Sequence, residues 1–118
     1  MSWDVELTNA GEVKSFEDGG TYVLGGTTYP ELNITYNYGG LFREAMCDPE
    51  PDESNVLKRL LHGKKAAETT EMLEIAVERL GTWRDDDYWA ATPGNAGTAL
   101  ARLLSWAKQY PNGIWKVD

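Results

Sequence analysis

The chain changes its hydrophobic period once, and that change constrains the fold more than any other feature. Through the first third, apolar residues recur at every second position; from Ala66 onward they recur at helical spacing. Trp3, Val5 and Leu7 alternate with Asp4 and Glu6, as in a strand with one buried face. Leu32, Ile34, Tyr36 and Tyr38 alternate in the same way with Asn33, Thr35 and Asn37. Between these runs, segments 13–16 and 21–24 read as two further strands, set off by Asn9-Ala10-Gly11, Gly19-Gly20 and Gly25-Gly26. The expectation is an antiparallel meander of three to four strands across residues 3–38.

After Gly39 the pattern favours helices. Segments 41–46 and 55–61 suit two short ones, separated by Asp48-Pro49-Glu50-Pro51-Asp52, which reads as an exposed loop because of its prolines and acids. Residues 66–80 form an amphipathic helix, with Met72, Leu73, Ala76, Val77 and Leu80 apolar and Gly81 just past its end. A last helix begins at Thr92, a good N-cap, with Pro93 in the first turn, where its missing N–H costs nothing. Its stripe runs Ala96, Ala99, Leu100, Leu103, Ala107 and Tyr110 and stops at Pro111-Asn112-Gly113, leaving 114–117 to pack back. The fold class expected is α+β: an N-terminal antiparallel sheet of three to four strands packed against two main C-terminal helices. The core should include Val5, Leu7, Val23, Ile34, Leu73, Val77, Leu100, Leu103 and Trp106.

At 118 residues the whole chain, 1–118, is expected to be a single domain. The net charge of −8 argues against direct nucleic-acid binding, which needs clustered Lys and Arg; here Lys58, Arg59, His62, Lys64 and Lys65 are flanked by acids. Cys47 is the only cysteine, so no internal disulfide can form. The N-terminus lacks a basic stretch followed by an apolar run, and no apolar run approaches the roughly 18–20 residues that span a bilayer. These features lead us to expect a cytoplasmic protein with no membrane association.

Catalytic patterns are missing. His62, the only histidine, has no nucleophile motif beside it, and the paired glycines match neither GxGxxG nor a P-loop; they suit tight turns instead. Asp85-Asp86-Asp87 is dense in carboxylates but lacks the alternating spacing of a metal loop. Asp48, Glu50, Asp52 and Glu53 carry no sign of a cleft. No catalytic residue, metal or cofactor is therefore expected. Two groups suit ligand binding. Asn33, Thr35 and Asn37 form an uncharged hydrogen-bonding row on the fourth expected strand, although Asn is a poor strand former. Trp83, Tyr88 and Trp89 precede Thr92 and Asn95 at a helix N-terminus, where free N–H groups suit an anion and the rings could stack a base. The bland alternatives are a solvated strand face and tryptophans that plug the junction between sheet and helices.

Segments 19–38 (GGTYVLGGTTYPELNITYNY), 86–100 (DDYWAATPGNAGTAL) and 111–115 (PNGIW) together resemble a group of small proteins encoded by phages and prophages of Gram-positive bacteria, especially actinobacteria. The similar segments cover about half the chain; 47–55 does not match. No established activity attaches to the group, so no site residue carries over. The resemblance implies an accessory protein acting inside an infected host.

The function expected from these features is non-catalytic binding, of a small nucleotide-like molecule or of a host protein, with counter-defence as one setting for it. An alternative is an acidic mimic of nucleic acid that blocks a host DNA-binding protein, which the charge of −8 would suit. A virion or assembly role, or a small enzyme using Asp85 to Asp87, are further readings, and homo-oligomerisation stays open.

Overall fold

The computed structural model describes residues 2–8, 31–83, 85–87 and 90–118. Strand β1 (Ser2–Thr8) lies at the centre of a three-stranded antiparallel sheet, between β2 (Glu31–Thr35) and β3 (Ile114–Val117). The register sets Trp3 opposite Ile34, Val5 opposite Leu32 and Val117, and Leu7 opposite Trp115. All seven side chains are buried, so one face of the sheet is apolar throughout, as the period of two requires. The third strand thus comes from the C-terminal tail. The expected strands at 13–16 and 21–24, and Val23 with them, lie outside the described residues.

The β2 run ends earlier than its alternation suggests. Thr35 Oγ1 accepts the Asn37 N–H at 3.2 Å and caps a 3-10 turn at Tyr36–Tyr38, which leads directly into helix α1 (Gly39–Ala45). Gly39-Gly40 is therefore the start of a helix and not a tight turn. A Cβ at Gly39 would come within 2.7 Å of the Glu53 carbonyl oxygen, so the glycine lets a second 3-10 turn, Glu53–Asn55, lie against α1. Helix α2 (Val56–Leu61) follows. Beyond it, the 61–66 turn covers the outer edge of β3: Gly63 N–H donates to Trp115 O, Trp115 N–H to Lys64 O, and Val117 N–H to His62 Nδ1. That cover removes an exposed strand edge.

Helices α3 (Ala66–Leu80) and α4 (Pro93–Gln109) form the helical layer. Gly81, at φ +76°, terminates α3 in a conformation that suits glycine. Gly97 of α4 lies against it so closely that an added Cβ would sit 1.7 Å from the Gly81 carbonyl oxygen. Leu73 and Ala76 of α3 and Leu100, Leu103 and Trp106 of α4 are buried in the same core as the sheet face, and Val77 is partly buried against it. The large aromatics are anchored by hydrogen bonds as well as packing. Trp3 Nε1 donates to Ser54 O and Trp115 Nε1 to Thr69 Oγ1, both at 2.8 Å. Trp3 also packs on Tyr36 and Phe42, with centroids 4.6 and 5.9 Å away. No helix among the described residues is long and apolar enough to cross a membrane.

Candidate functional site

The α4 N-terminus is closed by its own chain. Thr92 Oγ1 accepts the Asn95 N–H at 3.2 Å, as its N-cap position predicts. Asn95 is buried, and its amide fastens the preceding loop: Oδ1 accepts Asp85 N–H at 2.8 Å, and Nδ2 donates to Asp87 O and Ala90 O at 2.9 and 3.0 Å. Asp85 Oδ1 in turn accepts the Asp87 N–H. The backbone of Trp83 is pressed on the helix, since a Cβ at Gly94 would lie 1.7 Å from the Trp83 carbonyl oxygen. Trp83 itself is 89% exposed, so it does not plug a junction. Tyr88 and Trp89 lie outside the described residues. Thr92 and Asn95 therefore stabilise a loop, and the acids beside them make the end unfavourable for an anion.

The polar row on β2 is also engaged internally. Asn33 Nδ2 donates to Ser2 Oγ at 2.7 Å and to Asp4 Oδ1 at 2.8 Å, both on β1. Thr35 is buried as the cap of the 3-10 turn, and Asn37, on that turn, no longer shares a strand face with Asn33. The structure does not bring the row together with the 83–95 segment in any of the three cavities described next.

Those cavities adjoin one another around α1. The first, about 370 Å³, lies between the C-terminal turn of α1 and α3, with Met46, Met72, Ile75 and Arg79 in its walls. The second, about 690 Å³, is polar and includes Asn37, Arg43, Glu44, Asp48 and Glu53. The third, about 450 Å³, is formed by Leu41, Ala45, Leu80 and Pro93 with Glu44 and Arg79. Cys47 is shared by the first two, Ala45 and Arg79 by the first and third, and Leu41 and Glu44 by the second and third. They make one depression around the exposed side of α1.

Its electrostatics are uneven. Asp48, expected in an exposed loop, is buried: its Oδ2 accepts Arg59 Nε and Nη2 at 3.0 and 2.6 Å, and its Oδ1 accepts the Glu50 N–H. Burial alone would raise its pKa, but the bonds from Arg59 and Glu50, with the charges of Arg59 and Arg43, outweigh that and hold the carboxyl below its ordinary value. Arg43 donates to the Glu50 carbonyl. Arg79 Nη1 donates to Ala45 O at 3.0 Å and lies 2.9 Å from the Cys47 sulfur. Glu44, Glu68 and Glu71 form no ion pair with a described residue.

No family model, curated protein or solved structure matches the chain. Its site must therefore be argued from this geometry alone. Among the described residues no group of three His, Cys, Asp or Glu side chains could hold a metal ion. His62 is the capping residue of α2 and accepts from Val117, a structural role.

The depression is hard to see in the sequence because its best signal is a misfit. Ala66, Thr69, Leu73 and Ala76 are the buried stripe of α3. Ile75 falls one residue off that stripe and is 42% exposed. Apart from Trp83, it is the exposed large apolar residue of the described part of the chain.

Proposed function

We propose that the protein acts by non-catalytic binding of a partner protein, in the setting of a phage-encoded accessory protein inside its host, through the depression around α1. The observation that carries this reading is the composition of that depression. Partly buried Leu41, Met72 and Leu80 and exposed Ile75 are rimmed by Glu44, Glu68 and Glu71, which form no ion pair with a described residue. Apolar surface with a charged rim is the anatomy of a protein interface. A nucleotide-like anion suits the site less, because Glu44, Glu68 and Glu71 face it against Arg79, whose guanidinium is already bonded.

The test is affinity capture from an actinobacterial host lysate with the wild type, with Ile75→Asp, and with Lys116→Ala, at the exposed position of β3, as control. The expected result is a stoichiometric partner retained by wild type and control and released by Ile75→Asp. Equal retention by all three would move the interface elsewhere. An unexplained small adduct in the native mass, with no protein captured, would favour the small-molecule reading.

A mimic of nucleic acid is the second reading, favoured by Glu71, Glu74 and Glu78, which are exposed on one face of α3 and spaced about 5 Å apart along its axis. Glu74 is already paired with Lys108 at 3.0 Å. A mimic would lose affinity steeply with salt and be indifferent to Ile75.

A further inference from the structure

Helix α3 carries two stripes of the same period. Thr69, Leu73, Ala76 and Leu80 follow at steps of four, three and four and pack inward, with Leu80 only partly buried. Glu68, Met72, Ile75 and Arg79 repeat those steps one residue earlier, so they form a parallel stripe rotated by about 100°. All four line the cavity between α3 and the C-terminal turn of α1. The cavity wall that α3 supplies is ordered along the helix: carboxylates at Glu68 and Glu71, apolar side chains at Met72 and Ile75, and the bonded guanidinium of Arg79 at the far end.

We infer that this groove takes a basic amphipathic segment of the partner protein, its Lys or Arg residues beside Glu68 and Glu71 and its apolar residues on Met72 and Ile75. The inference rests on the binding reading above and gives its partner a chemistry and an orientation. Charge complementarity selects the occupant. Across the groove and the adjoining apolar cavity, Arg79 is the one cation among the described residues that opposes Glu44, Glu68 and Glu71, on a chain of net charge −8. A second copy would bring the same carboxylates face to face, which like-charge repulsion disfavours. The chain's own 9–30 segment supplies no cationic complement, since Glu12, Glu17 and Asp18 outnumber Lys14. From Glu68 to Arg79 the groove wall runs about 16 Å at the helical rise, enough for about eleven residues of an opposing helix.

The experiment uses three synthetic peptides of about that length, sized by the helical rise. One is amphipathic with Lys and Leu, one is a scramble of it, and one replaces Lys with Glu. Each is titrated into the intact protein while backbone amide resonances are followed by NMR. The expected result is saturable shifts at Glu68, Glu71, Met72 and Ile75 with the first peptide only. Affinity should fall at least about tenfold in Ile75→Asp, as for a central apolar anchor. In the double variant Glu68→Lys/Glu71→Lys, preference should reverse toward the Glu peptide.

Equal binding of the scramble, or a charge dependence without an Ile75 dependence, would overturn the inference in favour of the mimic. Concentration-dependent dimers abolished by Ile75→Asp would overturn it in favour of a second copy. No binding by the peptides, with host-protein capture still lost in Ile75→Asp, would overturn the basic segment while leaving the protein-binding reading intact. Loss of both would remove the reading itself.

Discussion

The loop leading into α4 and the depression around α1 meet near Leu80 and Pro93, yet they treat their polar groups in opposite ways. In the loop, the Asn95 amide bonds Asp85, Asp87 and Ala90, backbone N–H groups of Ala90 and Thr92 reach the same two carbonyls, and Thr92 bonds Asn95. In the depression, Asp48 and Arg59 are matched, but Glu44, Glu68 and Glu71 form no ion pair with a described residue, and Ile75 is 42% exposed. Groups that complete one another's hydrogen bonds hold a structure together and have little left for a ligand. The difference separates residues that hold the fold from residues available to a partner. Aromatic, amide and N-terminal features suggest a site at the loop; bonding places Thr92 and Asn95 among the former.

The comparison breaks first if the loop region tolerates disturbance. Gly97→Ala would drive a Cβ to 1.7 Å from the Gly81 carbonyl, backbone against backbone, so the α3–α4 junction must separate. We expect a loss of about 3 kcal/mol or failure to fold, at the upper end of overpacking costs. Urea unfolding measures it, and a change below about 1 kcal/mol would mean that the junction is loose. Asn95→Ala follows, at about 2 kcal/mol, because removing the amide strands the Asp85 N–H in a partly buried loop and takes one of two donors from the Asp87 and Ala90 carbonyls, which keep the Ala90 and Thr92 N–H groups. A near-neutral result would show that water replaces the amide readily and would return Asn95 to the list of ligand candidates.

Asp48 tests the bonded half of the depression. Its folded pKa is below the ordinary value of 3.8, so its contribution is present in full above the unfolded pKa and is lost as pH falls through the folded one. Asp52, bonded by the Ser54 hydroxyl and Asn55, is lowered in the same direction and adds to the same acid limb. Asp48→Asn should cost about 2 kcal/mol at neutral pH, since Asp48 is 4% and Arg59 25% exposed at the side chain, short of a fully buried pair. It should also flatten the loss of stability below pH of about 4. Urea midpoints at neutral and acidic pH give both numbers, and an unchanged acid limb would assign it to Asp52 and other carboxylates.

What could be read in advance follows the range of the interactions. The helices at 66–80 and 93–109 and the strand at 2–8 were legible because each buries one face and its pattern is local. The end of β2 was not. In the 3-10 turn Tyr38 is buried and Asn37 exposed, so the binary pattern continues across a change of backbone that only the Thr35 cap reveals. Asp48 was misread as exposed because its partner Arg59 is 11 residues away and prolines with acids usually mark a solvated loop. The candidate site escaped for a related reason. Met72 was read as part of a core stripe, and Ile75 has no meaning until α1 is placed beside α3.

Ile75→Asp carries the smallest expected effect on stability and the sharpest consequence for the comparison. The side chain is 42% exposed at the edge of the core, so replacing it should shift folding by about 0.5 kcal/mol or less, the usual range for surface positions. The new carboxylate would join Glu68 and Glu71 with Arg79 one turn away, so repulsion and attraction offset locally. Thermal unfolding should be near that of the wild type, while partner retention is lost. A variant that binds poorly because it is unfolded would show the opposite pattern, with both falling together. A loss of about 2 kcal/mol or more would place Ile75 in the core in energetic terms, and the second stripe of α3 would then be one more packing surface.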